Sequence, residues 1–148
     1  MGIGQNIRNI FSRYHWSLFI LCAIVYLSLF KPVGLEDMPK VPYLDKVAHF
    51  LMYAGFCFIL WLEYFRSHYK LNFRKIVLWA IISPILFSGV MEVAQWYITD
   101  YRTGDWDDFF FNTLGVLSAG IFSLCVTLPL VRKYALYNKN IKNSMENS

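Results

Sequence analysis

The chain has 148 residues, of which 57% are hydrophobic, 19% are aromatic and only 16% are Asp, Glu, Lys or Arg. A water-soluble domain of this length needs more surface charge, so the composition is that of a small polytopic membrane protein with one domain. The net charge of +4 does not argue for nucleic acid as a partner, because the basic residues flank apolar runs, where they set topology.

Residues 1–13 carry Arg8 and Arg13 and lead into an apolar run over 16–30. A basic start and an apolar core resemble a signal peptide. No small-x-small site precedes Lys31-Pro32, however, so the run reads as a retained anchor, extended by Tyr14 and His15 to approach the ~20 residues a span requires. Pro32, Gly34, Pro39 and Pro42 make 31–46 an irregular loop. The second span is expected over 47–65, with Asp45, His49 and Tyr53 along one helical face at i, i+4, i+8. A basic connector over 66–75 leads to a third span at 76–98, where Pro84 predicts a kink. The fourth span is expected over 109–131, before a polar, mobile tail at 132–148. Within it, Gly115 and Ala119 are four apart, a small-xxx-small pair that lets another helix approach. Trp61, Tyr64, Trp79, Trp96, Tyr97, Trp106 and Tyr134 fall near span ends, as an aromatic belt does. Cys22, Cys57 and Cys125, an odd number within apolar runs, read as packing residues.

Ten of the fourteen Lys and Arg lie in the N-terminus, the 66–75 connector and the tail, and four in the other two loops. The positive-inside rule then predicts a four-transmembrane-helix bundle with both termini cytoplasmic, and loops 31–46 and 99–108 facing outward. The domain limits are 1–13, 14–131 and 132–148.

That topology gathers polar residues from three spans at the outer end. Glu92 and Gln95 are i, i+3, while Asp108 and Asn112 are i, i+4, so each pair shares a helical face. At about 1.5 Å per residue, Glu92 lies roughly 9 Å below the end of its helix, near the level of His49 and Asn112. An acidic side chain within a span costs about 2.5–3.5 kcal/mol on insertion scales, so Glu92 needs a purpose or a partner. It is part of a site, one half of an ion pair with Lys46 or Arg102, or a carboxylic acid kept neutral. Asp105 suits an N-cap, with Asp108 at N3 of a capping-box-like turn and Asp107 favouring the helix dipole. Capping alone explains that spacing, and a site is compatible with it. Asp45 can orient the His49 imidazole. The ligand-binding set is therefore Asp45, Lys46, His49, Glu92, Gln95, Arg102, Asp105, Asp108 and Asn112, with His49 and Glu92 the candidates for catalysis. Lys46 and Arg102 against Asp45, Glu92, Asp105, Asp107 and Asp108 leave the cluster negative. It suits a cation, an amine, a sugar, or a phosphate bridged by a divalent metal. No metal-ligand signature is matched and no cofactor is indicated.

Four segments together resemble the VanZ-like family: D-K-V-A-H-F-L-M-Y at 45–53, E-V-A-Q at 92–95, R-T-G-D-W-D-D at 102–108 and N-T-L-G at 112–115. The family pattern falls on Asp45, Lys46, His49, Tyr53, Glu92, Gln95, Arg102, Asp108, Asn112 and Gly115, and the resemblance covers roughly 14–131. Its prototype is associated with teicoplanin resistance, so the resemblance implies a bacterial envelope membrane protein and no defined reaction. Three functions stay open. One is a binder of a lipid-linked or glycopeptide-related ligand in the cytoplasmic membrane. Another is a hydrolase or transferase acting on a lipid-linked substrate through His49 and Glu92, although G-x-S-x-G and H-E-x-x-H are both missing. The last is a structural protein that packs on membrane partners through Gly115 and Ala119.

Overall fold

The computed structural model describes residues 11–30, 43–67, 72–99 and 104–146, and every element among them is helical. Helix α1 is His15–Leu29, α2 is Leu44–Ser67, α3 is Phe73–Ile98, and α4 runs from Trp106 to Met145. Helices α2, α3 and α4 are long and apolar enough to cross a membrane. The 15 residues of α1 extend about 22 Å, short of the ~30 Å hydrocarbon thickness. The fourth helix does not end at 131, because helix continues through Leu128–Glu146, with Tyr134, Leu136 and Tyr137 exposed along it. Most of the proline-bearing loop and Arg102 lie outside the described residues.

The packing differs from that of a soluble bundle. Leu86, Val90 and Val93 form an exposed stripe on α3, and Phe110, Leu117 and Ile121 do so on α4. The interior, beside its apolar core, also holds Ser17, Ser28, His49, Glu63, Ser88, Glu92, Gln95, Asp108, Asn112, Ser123 and Thr127. Apolar residues outward and polar residues inward are what a lipid solvent selects, since apolar burial drives nothing there and polar groups must find partners within the protein.

The broadest contact is between α2 and α4. Gly115 makes it possible: a Cβ there would overlap the Phe50 carbonyl oxygen and press on the Ala54 backbone nitrogen at 3.0 Å. Ala119, one turn on, is buried in the same core with Ile24, Tyr53, Phe56, Cys57 and Val116. The small pair thus seats α2 of the same chain and is not available to a partner, which corrects the structural reading of those two residues. A second core at the opposite end contains Trp61, Tyr64, Phe65, Ile76 and Ala80. Trp61 is wholly buried and Tyr64 nearly so, and neither belongs to an outer aromatic belt. Trp79, Trp96, Tyr97, Trp106 and Tyr134 are exposed, as a belt requires.

Both prolines inside the long helices follow a π-helical turn. Pro84 comes after Leu78–Ile82, where the Ser83 N–H reaches the Leu78 carbonyl, and Pro129 comes after Ser123–Thr127, where the Leu128 N–H reaches the Ser123 carbonyl. A proline lacks the N–H for the residue four back and crowds that residue's carbonyl, here Ala80 and Cys125. Each carbonyl lies within the widened turn, which is how the helix accommodates the ring. The irregularity expected at Pro84 takes this form, and Pro129 repeats it.

A buried carboxylate holds α1 in place. Glu63 of α2 accepts the backbone N–H groups of Trp16 and Ser17 at 3.0 and 3.1 Å, and the Ser17 hydroxyl as well. Those amides belong to the first turn of α1, which has no side-chain cap of its own. A carboxylate there also complements the positive helix end.

Two substitutions test this packing. Gly115→Ala should separate α2 from α4 and cost about 1–3 kcal/mol. Glu63→Ala should cost about 2–4 kcal/mol, because hydrogen bonds to a charged group are lost and the first-turn amides stay buried. Reversible unfolding in mixed detergent micelles measures both. Wild-type stability in Gly115→Ala would show that the two helices are not in backbone contact.

Candidate functional site

The polar cluster is assembled where the start of α2, the end of α3 and the start of α4 meet. Its framework is the entry into α4. Asp105 is the N-cap, with extended backbone (φ −120°, ψ 127°) and a side chain that accepts the Asp107 N–H at 2.9 Å. That N–H first, and the Lys46 ammonium second, hold its carboxyl below the ordinary value. The capping box closes differently from the expectation. The Asp105 backbone N–H is accepted by Glu92 Oε2 of α3 at 3.2 Å, a role that Asp108 would have filled. Gly104 permits this approach, since a Cβ there would overlap the Glu92 carbonyl oxygen. Asp108 is thereby released from capping and turns toward α2.

Glu92 then starts a chain of hydrogen bonds through the interior. Its Oε1 accepts from Asn112 Nδ2 at 3.2 Å, and Asn112 Oδ1 lies 3.1 Å from His49 Nδ1. The order of donors fixes the imidazole. An amide that donates to Glu92 presents its oxygen to the ring, so His49 carries a proton on Nδ1. His49 Nε2 faces two carboxylates, Asp108 Oδ2 at 3.5 Å and Asp45 Oδ1 at 4.0 Å. His49, Glu92, Asp108 and Asn112 are all buried, while the Asp45 side chain is 61% exposed and forms the outer edge. Asn112, more than Asp45, orients the ring.

Lys46 joins the helix ends from above. Its Nζ lies 3.0 Å from Asp105 Oδ2, 3.2 Å from Asp107 Oδ2 and 3.4 Å from Asp108 Oδ1. One ammonium thus gathers the acidic first turn of α4 against the first turn of α2, and leaves Asp108 Oδ2 for the imidazole.

Seven of the nine residues expected to bind a ligand are brought together: Asp45, Lys46, His49, Glu92, Asp105, Asp108 and Asn112. Gln95 is not among them. Its Nε2 donates to the Ser28 carbonyl of α1 at 3.1 Å, and its fully buried Oε1 has no partner among the described residues. The i, i+3 offset from Glu92 rotates it toward α1, where it ties the end of that helix to α3. Arg102 lies outside the described residues. Tyr53 is core, with a buried hydroxyl that lacks a partner among the described residues. Asp107, which the sequence places at the helix dipole and among the charges of the cluster, forms an ion pair with Lys46 that position alone does not single out.

Glu92 is the common acceptor for one buried and one half-buried donor, which gives graded variants. Glu92→Ala should destabilise the fold by about 2–5 kcal/mol by stranding the Asp105 N–H and the Asn112 amide. Glu92→Gln offers one acceptor oxygen to two donors and should lose about half as much. Equal stability of the two variants in detergent unfolding would show that hydrogen bonding at Glu92 is not the source.

Neither characterised proteins nor solved structures give a significant match to this chain. A family model described as VanZ/LLP1 does match, over residues 3–128, and so spans all four described helices up to the end of the second π-turn. The chain is a membrane-type protein that belongs to the VanZ-like family.

Proposed function

We propose that this is a four-span protein of the bacterial cytoplasmic membrane, with both termini in the cytoplasm, whose outward polar cluster binds a lipid-linked or glycopeptide-related envelope ligand at headgroup level. One observation carries the reading. Four buried polar side chains, His49, Glu92, Asp108 and Asn112, converge at one end of the bundle and communicate with the surface through Asp45 and Lys46. Exposed Trp96, Tyr97 and Trp106 ring the same end, at the level where aromatic side chains meet lipid headgroups. The distribution of Lys and Arg puts that end outside. In this topology α1 acts as the fourth span, lengthened by its flanking residues.

Buried polar chains of this kind are held ready before a ligand arrives, so recognition loses little to reorganisation. Lys46 is taken up by three aspartates and steadies the acidic edge, and Asp45 accepts from hydroxyl or amine groups. Resistance to teicoplanin is the phenotype the family resemblance suggests. In a strain that depends on this protein for it, His49→Ala and Asn112→Ala should restore susceptibility by more than any fall in membrane abundance explains. Full resistance in both, at wild-type abundance, would end the ligand reading.

The enzyme alternative has an observation of its own. His49 sits between carboxylates on one side and an amide on the other, an arrangement that holds an imidazole in one tautomer for proton transfer. Purified protein incubated with lipid-linked envelope precursors should then yield a hydrolysis or transfer product that His49→Ala abolishes. Binding without turnover leaves the first reading in place.

A further inference from the structure

We propose that Asp45, His49 and Asp108 hold a divalent transition-metal ion at the mouth of the polar cluster, with at least one coordination position open to an oxygen of the bound ligand. The three offer one donor atom each, all within 4.8 Å of one another. His49 Nε2 and Asp108 Oδ2 are 3.5 Å apart, close to the edge of a zinc tetrahedron, roughly 3.3–3.6 Å for bonds of about 2.0–2.2 Å. His49 Nε2 and Asp45 Oδ1 are 4.0 Å apart, so a shift of a few tenths of an ångström by the exposed Asp45 side chain would complete that edge. The two α2 donors come from one helical face at i, i+4, and the third enters from the first turn of α4.

Hydrogen bonding outside the triad makes the case independently of these distances. Glu92 accepts from Asn112 and Asn112 accepts from His49 Nδ1, so Nε2 is the ring nitrogen that faces the two carboxylate oxygens, and in the neutral ring its lone pair is directed at them. Three electron-rich atoms converge on one point, which a cation relieves. Metal-binding histidines are held in this way, with the second nitrogen donating to a fixed acceptor that sets tautomer and ring angle. Lys46 engages the other oxygen of Asp108, at Oδ1, and so steadies that carboxylate while leaving Oδ2 toward the ring.

One imidazole and two carboxylates suit Zn²⁺, Mn²⁺ or Co²⁺ better than thiolate-seeking ions. Three protein donors leave the fourth place open, the pattern of sites that take up water or substrate rather than sites that only brace a fold. The proposal deepens the function proposed above and rests on it for the ion's purpose: a metal here turns a negative cluster into one that accepts a phosphate oxygen. The ion's presence rests on the three donors alone.

Full-length protein in nanodiscs, stripped with chelator and dialysed, is titrated with Co²⁺ and followed by visible d–d absorption and by metal content. About one Co²⁺ per chain is expected, displaced by Zn²⁺, with nitrogen and oxygen ligation unaltered in a Cys22→Ser/Cys125→Ser variant. Asp108→Asn and His49→Ala should each weaken binding at least tenfold. Asp45→Asn, at an exposed position, should weaken it severalfold by more than any change in unfolding midpoint explains. No stoichiometric Co²⁺ in the wild type, or wild-type affinity in Asp45→Asn and Asp108→Asn, overturns the proposal. In that case the point of convergence holds a proton on His49 instead. Ligand binding measured on the stripped protein is a separate readout, so the metal can fail while the binding function stands, and the reverse.

Discussion

A carboxylate placed about 9 Å inside the end of an apolar helix has to be met by donors, and the way Glu92 is met organises this end of the molecule. One oxygen takes the backbone N–H of Asp105, which fixes where α4 begins. The other takes the Asn112 amide, which fixes how α4 is rotated about its axis and, through that amide, the orientation of His49 on α2. Three helices are thus registered by the two oxygens of one side chain. The position of Asp108 follows, because Glu92 has taken over the reciprocal half of its cap. A residue that would have closed a local motif is turned into one that faces another helix.

The remainder of the fold makes room for this network. With little gain from burying apolar surface in a lipid solvent, close backbone approach and internal hydrogen bonds must hold the bundle. Gly115 brings α4 onto the Phe50 carbonyl of α2 about one turn from the site, and Gly104 brings the α4 entry onto the Glu92 carbonyl of α3. Neither contact survives a Cβ. The π-turns before Pro84 and Pro129 lie away from the cluster, toward the other half of each helix, so the α-helical regularity of the segments that carry Glu92 and Asn112 is undisturbed.

Helical periodicity made much of the site legible. His49 with Asp45, and Asp108 with Asn112, were readable as i, i+4 pairs, and the cost of an acid within a span singled out Glu92. Gln95 shows the limit of that reasoning: an offset of three residues turns a side chain by about 60° from a full turn, enough to hand it to α1. Trp61 and Tyr64 look like interfacial aromatics by position along the chain, yet helix α3 covers them through Ile76 and Ala80. Glu63 left no sign of its role, because its partners are backbone amides 46 and 47 residues away, and amides are common to every sequence. The proposed metal triad matched no ligand signature for a related reason: Asp45 and His49 are neighbours on one helix, but the third donor, Asp108, lies 59 residues beyond His49 on another.

The two buried glutamates, set side by side, separate structure from function within one chain. Each satisfies backbone N–H groups at the start of another helix, Glu63 for α1 and Glu92 for α4. Glu63 gives both oxygens to that task, and the Ser17 hydroxyl completes its shell from the same helix turn. Glu92 gives one oxygen to the task and passes the other, through Asn112, to an imidazole that faces two more carboxylates. Anchoring a helix needs nothing beyond the first arrangement. The second adds a buried amide, a buried ring and a buried acid, each expensive to remove from water, along a line that ends at an exposed aspartate. A fold under no demand but stability would replace those three by apolar residues of similar size, as it can wherever helices only have to pack. Their convergence at one end of the bundle, beside exposed Trp96 and Trp106, is the physical ground for proposing this cluster as the binding site.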